Sequence, residues 1–301
     1  MFKRYDPDAR AQADHPVPIL TMGVITICIL VFLAINFQGG TDEVIQRWGY
    51  VDSEEIWKGG YRGLISSVFV HKEALHLIFN LYALWIIGAV VETEIGPGRW
   101  LAFFLGSAVV SSGAQLLTGD TGIGMSGVNY ALFGFAWASR WQFDAFRQVI
   151  SPQTAVWYLV WLVGCWVSTL AGTMNVANEA HLGGLLFGTL VGEVLVRRRH
   201  RVLLSLAFVA LVAASLVPVF WAPWTGAWAR KEAAAALERQ DYKAAEPWLL
   251  QSLRDRETNP AWVWTALAGV YASRSDQAGV ERAERELEKL ESAEEPPAEP
   301  K

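Results

Sequence analysis

The stretch Gly124-Met125-Ser126-Gly127 opens one of the chain's apolar segments. A serine between glycines occurs by chance, so the tetrapeptide alone fits a loop or a helix start as readily as a catalytic site. Its setting favours a catalytic role. His76 and Asn80 lie one helical turn apart in another apolar segment, and His181 opens a glycine-rich segment. Polar groups at membrane depth are costly and therefore indicate function. The sequence thus offers a serine nucleophile with candidates for its base and its oxyanion site.

The composition indicates a membrane protein. The 301 residues are 52% hydrophobic with a mean hydropathy of +0.24, and the apolar residues are grouped in runs. The 15 tryptophans agree, because tryptophan gathers at membrane interfaces. The net charge of -5 includes no basic stripe of the kind that binds nucleic acid. Cys28 and Cys165 lie within apolar runs, which predicts buried packing residues, and no Cys/His spacing implies a metal or another cofactor.

Seven apolar runs predict helices that enter the membrane. Most approach the roughly 20 residues that span a bilayer, where the backbone must satisfy its own hydrogen bonds. The first run lacks a small-residue cleavage site and so predicts a retained helix instead of a signal peptide. The runs are residues 19–37, 74–91, 100–117, the shorter 126–141, 154–171, 180–196 and 202–221.

The lysine and arginine residues predict the orientation. If the N-terminus is cytoplasmic, the basic clusters near residues 3–10, 140–147 and 197–201 all lie inside. The long first loop, residues 38–70, is then outside despite three basic residues, and its aromatic residues indicate a segment at the interface. This topology brings Ser126, His181 and the pair His76 and Asn80 to the outer half of the membrane.

Small residues follow both reactive positions at helical spacing. They are Gly127, Ala131, Gly134 and Ala138 after Ser126, and Gly184, Gly188 and Gly192 after His181. Such stripes let membrane helices approach closely and can serve association alone. Because a reactive residue heads each stripe, we expect the fourth and sixth runs to pack together and to bring His181 to Ser126.

The chain changes character after the seventh run, where it becomes charged and rich in alanine. Trp228 and Trp262 are 34 residues apart, as are Leu237 and Tyr271, which is the tetratricopeptide period. Residues 223–290 therefore predict about two tetratricopeptide-like helix pairs. Two repeats are marginally stable, so this domain is expected to use a protein partner, the membrane or a second copy. The acidic end, residues 291–301, predicts disorder.

Three motifs stand in order on the predicted helices. They are His71-x4-His76-x3-Asn80, Gly124-Met-Ser126-Gly-Val-Asn-Tyr130 and Ala180-His181-x2-Gly184-x3-Gly188. Together they resemble the rhomboid intramembrane serine proteases over about residues 19–196. The resemblance implies an all-α membrane protein with a six-helix core at residues 19–198 after a cytoplasmic tail at residues 1–18. This chain adds a seventh membrane helix at residues 199–222 and the small helical repeat domain.

The resemblance also implies a role for each motif residue. Ser126 would be the nucleophile and His181 its general base, in a dyad without a carboxylate, and the Ser126 amide would assist the oxyanion donors His76 and Asn80. Other motif residues would support this site. Gly124 and Gly127 would shape the turn before the serine, Tyr130 would pack on the His181 ring, and His71 would stabilise the first loop. Glu92 would be a structural glutamate, and Gly184 and Gly188 would allow close helix contact. Ser112 and Gln115 either hold the hydrolytic water or satisfy each other and the backbone.

The implied activity is an endopeptidase that cleaves transmembrane segments of membrane proteins in a bilayer, without a cofactor. The implied location is a bacterial inner membrane. One departure is the family's first-loop Trp-Arg pair, for which Tyr61-Arg62 is the nearest counterpart. Two alternatives stay open: a catalytically silent relative that binds transmembrane helices for quality control, and a small-molecule transporter. The first would usually lack the serine or histidine, and the second would place ionisable groups through the bilayer centre.

Overall fold

The computed structural model describes residues 17–255 and 258–294, and this described part is helical without strands. Six of its helical segments are long and apolar enough to cross a membrane, so the chain is an integral, multi-pass membrane protein. They are Ile19–Phe37, Ala74–Ile95, Pro97–Thr118, Pro152–Leu170, Asn178–Val196 and Arg198–Phe220. Of the predicted tails, residues 1–16 and 295–301 lie outside the described residues, and the last helix continues to Glu294.

Packing divides the chain into two units that are not continuous in sequence. The first contains described residues 17–51, 62–115 and 122–216, and the second contains residues 52–61, 116–121 and 217 onward. The helices of the first unit are α1 (Ile19–Phe37), α2 (Asp42–Arg47), α4 (Gly63–Ser66), α5 (Ala74–Ala83), α6 (Ala89–Ile95), α7 (Pro97–Gln115), α8 (Ser126–Ser139), α9 (Asp144–Val149), α10 (Pro152–Leu170), α11 (Asn178–Val196) and most of α12 (Arg201–Phe220). Those of the second are α3 (Ser53–Trp57), α13 (Gly226–Glu238), α14 (Tyr242–Ser252), α15 (Pro260–Ser273) and α16 (Gln277–Glu294).

Helix α8 is the centre of the first unit. It has 14 residues, which correspond to about 21 Å, less than the roughly 30 Å of a bilayer core. Twelve of the 14 are buried, so other helices surround α8 on nearly all sides. A short helix inside a bundle can begin below the membrane surface, and Ser126 is its first residue.

Helices α8 and α11 pack through the two stripes of small residues. A Cβ on Gly184 would overlap the carbonyl oxygen of Gly127, and a Cβ on Gly188 would overlap that of Ala131. Gly192 similarly lies against Ala138, where a Cβ would be 2.8 Å from the alanine methyl carbon. The stripes therefore face each other, and the backbones touch in a way that larger residues would prevent.

The N-terminus of α1 is held by a buried carboxylate from α6. Glu92 accepts hydrogen bonds from the Leu20 amide at 3.0 Å and the Thr21 amide at 2.7 Å. The first amides of a helix have no partner within the helix, and inside a bundle they cannot turn to water. Glu92 satisfies two of them and lies where the positive end of the α1 dipole favours an anion.

The second membrane segment contains an irregularity that the apolar run did not predict. Between α5 and α6, residues Leu84–Gly88 form a π-helical turn, so that 74–95 is one continuous helical segment with a change of pitch. The Trp100 indole donates to the Gly88 carbonyl at 3.0 Å. Such turns leave carbonyl groups without their usual helical partner, and here a side chain of α7 supplies one.

The second unit joins the C-terminal helices to a segment of the first loop. The Trp57 indole donates to the Pro218 carbonyl at 2.8 Å, and the Trp57 and Trp228 rings meet edge to face at 5.0 Å. The Trp224 indole donates to the Leu117 carbonyl at 2.9 Å, so residues 116–121 belong to the same unit. Apolar side chains from α13 to α16 form a core of their own around Leu249 and Leu267. The tetratricopeptide assignment of these four helices stays a prediction.

Candidate active site

Ser126 occupies the first position of α8, directly after a tight loop. Met125 precedes the helix without a side-chain cap, which leaves the first amides of α8 free of capping side chains. Gly124 has φ +94, a conformation that favours glycine. The loop therefore presents the serine at a helix N-terminus, where the dipole and the free amides favour negative charge.

His181 lies one hydrogen bond away from this serine. Its Nε2 is 2.8 Å from the Ser126 Oγ, and the imidazole is buried, with 3% of the residue exposed. If Nε2 accepts the serine proton, Nδ1 must carry the ring hydrogen. Within the described part of the chain, Nδ1 is buried and has no hydrogen-bond partner. The pair thus has the geometry of a nucleophile with a neutral imidazole base and no orienting carboxylate.

Tyr130 supports the imidazole by ring packing. Its ring centroid is 4.8 Å from that of His181, and its hydroxyl donates to the Tyr158 carbonyl at 3.1 Å. Phe133 stacks on Tyr158 at 4.2 Å. Aromatic packing therefore continues from α8 to α10 and limits the orientations open to the His181 ring.

His71 fixes the loop that precedes the serine. The Met125 amide donates to its Nε2 at 3.4 Å, and its Nδ1 lies 3.3 Å from the Phe69 carbonyl. These partners require a neutral ring with the proton on Nδ1. Burial lowers the pKa of His71 to about 4, with a further contribution from His76. This histidine acts on the main chain next to Ser126.

His76 lies against the same loop. A Cβ on Gly124 would be 2.6 Å and 2.8 Å from two ring atoms of His76, Cε1 and Nε2, so only glycine allows this approach. The rings of His71 and His76 are 5.0 Å apart and meet edge to face. A third of the His76 side chain is exposed, which leaves this imidazole accessible for hydrogen bonding.

Asn80 is buried one turn further along α5 and contacts α8. Its Nδ2 donates to the His76 carbonyl at 2.9 Å. Asn129, a residue to which the sequence analysis assigned no role, donates from its own Nδ2 to Asn80 Oδ1 at 2.9 Å and to the Asn80 carbonyl at 3.0 Å. The available signal was its polarity within an apolar run, three residues after Ser126.

A small cavity of about 20 Å³ adjoins the serine, and Ser112 and Gly127 are among its lining residues together with Ser126. This volume suffices for about one water molecule. Gln115 is not among the lining residues, and its Oε1 accepts the Ala180 amide hydrogen at 3.2 Å. Of the two candidates for holding water, only Ser112 faces this space.

Comparison with known proteins agrees with this architecture. Residues 54–198 match the family model described as Rhomboid domain. Over these residues the chain is similar to the rhomboid family. The matched region includes every site residue described above, from His71 to Gly188.

Among its relatives is the rhomboid protease GlpG of Serratia proteamaculans, 32% identical over 178 residues, or 57% of this chain and 61% of the relative. The GlpG of Pectobacterium atrosepticum is 33% identical over the same shares. That of Klebsiella pneumoniae is 32% identical over 181 residues, covering 59% of this chain and 63% of the relative. The matched part of this chain thus spans about three fifths of the length of these proteins.

Proposed function

We propose that this chain is an intramembrane serine endopeptidase in which Ser126 and His181 form the catalytic dyad. The observation that carries the proposal is the 2.8 Å distance between the Ser126 Oγ and the His181 Nε2, inside a bundle of membrane helices. The names of the relatives, which are rhomboid proteases, support the same reaction class. A partly exposed serine bonded to a buried histidine at a glycine-shaped loop has the arrangement that nucleophilic catalysis requires.

The reaction consists of two acyl transfers. The Ser126 Oγ attacks the carbonyl carbon of the scissile peptide bond while the His181 Nε2 takes the serine proton. The tetrahedral intermediate then collapses, and His181 returns this proton to the leaving amine. A water molecule, activated by the same nitrogen, attacks the acyl-enzyme and releases the new carboxyl terminus and the free serine. The cavity beside Ser112 is large enough to hold that water.

The negative oxygen of each intermediate needs donors that are already in position. We assign this role to the Ser126 amide at the start of α8, with His76 and Asn80 as side-chain donors. His71 and Gly124 support them by fixing the loop on which both the amide and the His76 ring depend. The loss of one such donor reduces the rate on the order of 10²–10³-fold.

The expected substrates are transmembrane segments of other membrane proteins, because the dyad belongs to membrane helices. We place the N-terminus in the cytoplasm and the first loop outside, following the distribution of basic residues. The C-terminal helices contact residues of the first loop, as in the contact between the Trp57 and Trp228 rings, and we therefore place them on the same side of the membrane as this loop. Their exposed surface is a candidate site for a protein partner or substrate.

Labelling with a serine-directed fluorophosphonate in native membranes tests the dyad. The wild type is expected to be labelled, whereas Ser126→Ala and His181→Ala are not, and Ser205→Ala serves as the control for loss of an unrelated serine. Equal labelling of all variants would overturn the assignment of Ser126. No labelling of the wild type, beside a labelled rhomboid protease, would favour the silent helix-binding alternative. A tag-accessibility assay at the C-terminus tests the proposed topology.

A further inference from the structure

Asn129 is a buried polar residue on the most enclosed helix of the bundle. Only 5% of it is exposed, and it lies between the apolar Val128 and the ring of Tyr130 on α8. A position this deep is ordinarily apolar, because a buried amide must satisfy two donor hydrogens and an acceptor oxygen. Within the described residues, both bonds of the Asn129 Nδ2 go to Asn80, to its Oδ1 at 2.9 Å and to its main-chain oxygen at 3.0 Å.

These two bonds determine which way the Asn80 amide points. Asn80 must present its oxygen to Asn129, because the opposite orientation would bring two NH₂ groups together. Its Nδ2 is therefore directed elsewhere, and one of its two hydrogens goes to the His76 carbonyl at 2.9 Å. The second hydrogen is left for another acceptor, and a substrate oxyanion is such an acceptor. Without Asn129, the amide could rotate and present an oxygen where the reaction needs a donor.

The orientation of Asn129 itself is also fixed. Its Oδ1 is buried and has no hydrogen-bond partner within the described part of the chain. Rotating the amide would not help, because Oδ1 would then face two oxygens of Asn80. At this position the protein therefore combines an unpaired acceptor, Asn129 Oδ1, which is energetically costly, with two hydrogen bonds to Asn80. Simple attachment of α5 to α8 would not require this arrangement, since apolar side chains would pack the same space.

We propose that Asn129 is a positioning residue that holds Asn80 in its donor orientation for the oxyanion. This inference rests on the proposed protease function and gives a role to Asn129, a motif residue to which the resemblance assigned none. Asn129 acts through Asn80 and does not itself touch the substrate. Its removal should therefore affect the transition state, in which the oxyanion is present, much more than substrate binding.

The test is a double-mutant cycle with Asn129→Leu, which is close in size, and Asn80→Ala. The turnover of a transmembrane substrate is measured in proteoliposomes, with kcat and KM separated and the Tm of each variant recorded. We expect Asn129→Leu to lower kcat about 10-fold or more with little change in KM. In the Asn80→Ala background, the same substitution should change kcat by less than about 2-fold, because the residues share one effect. Ser139→Ala removes a buried polar group from the same helix and should leave kcat unchanged.

Three results would overturn the proposal: an unchanged kcat in Asn129→Leu, kcat losses that multiply in the double variant, or a raised KM and lower Tm that account for the lost activity. Ser126→Ala and the fluorophosphonate label distinguish this failure from failure of the proposed function. If the wild type is active and labelled at Ser126 while Asn129→Leu matches it, only the role of Asn129 is rejected. If Ser126→Ala retains full activity, the protease mechanism itself is rejected.

Discussion

The main chain of Gly188 lies directly against the carbonyl oxygen of Ala131, with no space between them for a side chain. This contact is near the middle of the α8–α11 interface that also brings His181 to Ser126. Close backbone packing is the main means by which membrane helices associate, because lipid supplies no hydrophobic drive between them. The precision of the dyad therefore depends on a glycine seven residues away from the histidine.

Gly188→Ala is expected to separate the two helices and abolish proteolysis. The added methyl group overlaps a main-chain atom that cannot move without displacing α8, and overpacking of this kind destabilises by about 1–3 kcal/mol or more. Gly164→Ala is the matched control, because a Cβ there meets no atom within 4 Å. It should be neutral or slightly stabilising, given the higher helix propensity of alanine. Substrate cleavage and Tm in detergent micelles measure both variants, and similar behaviour of the two would contradict the packing argument.

The Glu92 carboxylate predicts a second stability effect. Glu92→Ala leaves the buried Thr21 amide and the partly buried Leu20 amide of α1 without this acceptor, which costs about 1–3 kcal/mol for the buried group and less for the other. Glu92→Gln retains one acceptor oxygen and should lose about half as much. Thermal unfolding measures the difference, with the exposed Glu43→Ala as control. If Glu92→Ala unfolds at the wild-type temperature, the amides find other partners and the carboxylate is not needed.

The membrane helices were predictable because each is a long apolar run. Structure and sequence agree on the end of the first helix at Phe37 and differ by only two residues at the start of α11. The pairing of α8 with α11 was also predictable, since two stripes of small residues are a periodic signal along each helix. Those signals are local in sequence, and they placed Ser126 and His181 on facing helices.

Other features left no such signal. The π-helical turn at Leu84–Gly88 depends on how α7 packs against it. The same apolar run is compatible with an α-helical or a π-helical turn at this position. The bond between Asn129 and Asn80 joins residues 49 positions apart, and that from Trp57 to Pro218 joins residues 161 apart. Pairs of residues this far apart in sequence cannot be predicted from local patterns, because only the folded chain brings them together. This is why the sequence did not reveal that residues 52–61 of the first loop share one packing unit with the C-terminal helices.

The pKa of His71 predicts a pH-dependent stability. In the unfolded chain this histidine titrates near 6.5, whereas in the folded protein its pKa is about 4. The unfolded state therefore binds more protons between these values, and stability must fall as pH is lowered from about 6.5 to 4. The total loss is up to about 3 kcal/mol, at about 1.4 kcal/mol for each pKa unit. In the folded protein, protonation of His71 would remove the acceptor of the Met125 amide, so cleavage should decline as pH falls towards about 4.

The comparison of wild type with His71→Gln checks this assignment. Glutamine does not titrate, yet its side-chain oxygen can still accept a hydrogen bond, so the Tm of this variant should vary less between pH 7 and pH 4.5. His200→Gln, which replaces an exposed histidine, should retain the wild-type dependence. Equal slopes for all three proteins would show that other groups cause the acid sensitivity.

Arg230 predicts how the second unit is held together. Its guanidinium donates to Glu54 at 2.8 Å, to Asp255, and to Thr258 at 2.9 Å, so one side chain joins the first loop to the C-terminal helices. Burial opposes the charge, but the bonds and charges of Glu54 and Asp255 raise the pKa of Arg230 overall. Arg230 therefore keeps its positive charge at any pH at which the protein is folded.

Arg230→Ala should release the first-loop helix α3 from α13, because Glu54 and Asp255 lose their common cation. Removing one member of a half-buried network costs about 2 kcal/mol, between the values for exposed and buried pairs. Arg230→Lys keeps the charge but cannot contact two carboxylates with one planar fork, so it should recover only part of the loss. Arg274→Ala breaks the more exposed pair with Glu246 and should cost less than about 1 kcal/mol. Limited proteolysis and thermal unfolding measure the stability of each variant. If Arg230→Ala resists protease and heat as well as Arg274→Ala does, the aromatic contacts of Trp57 hold this unit together without the arginine.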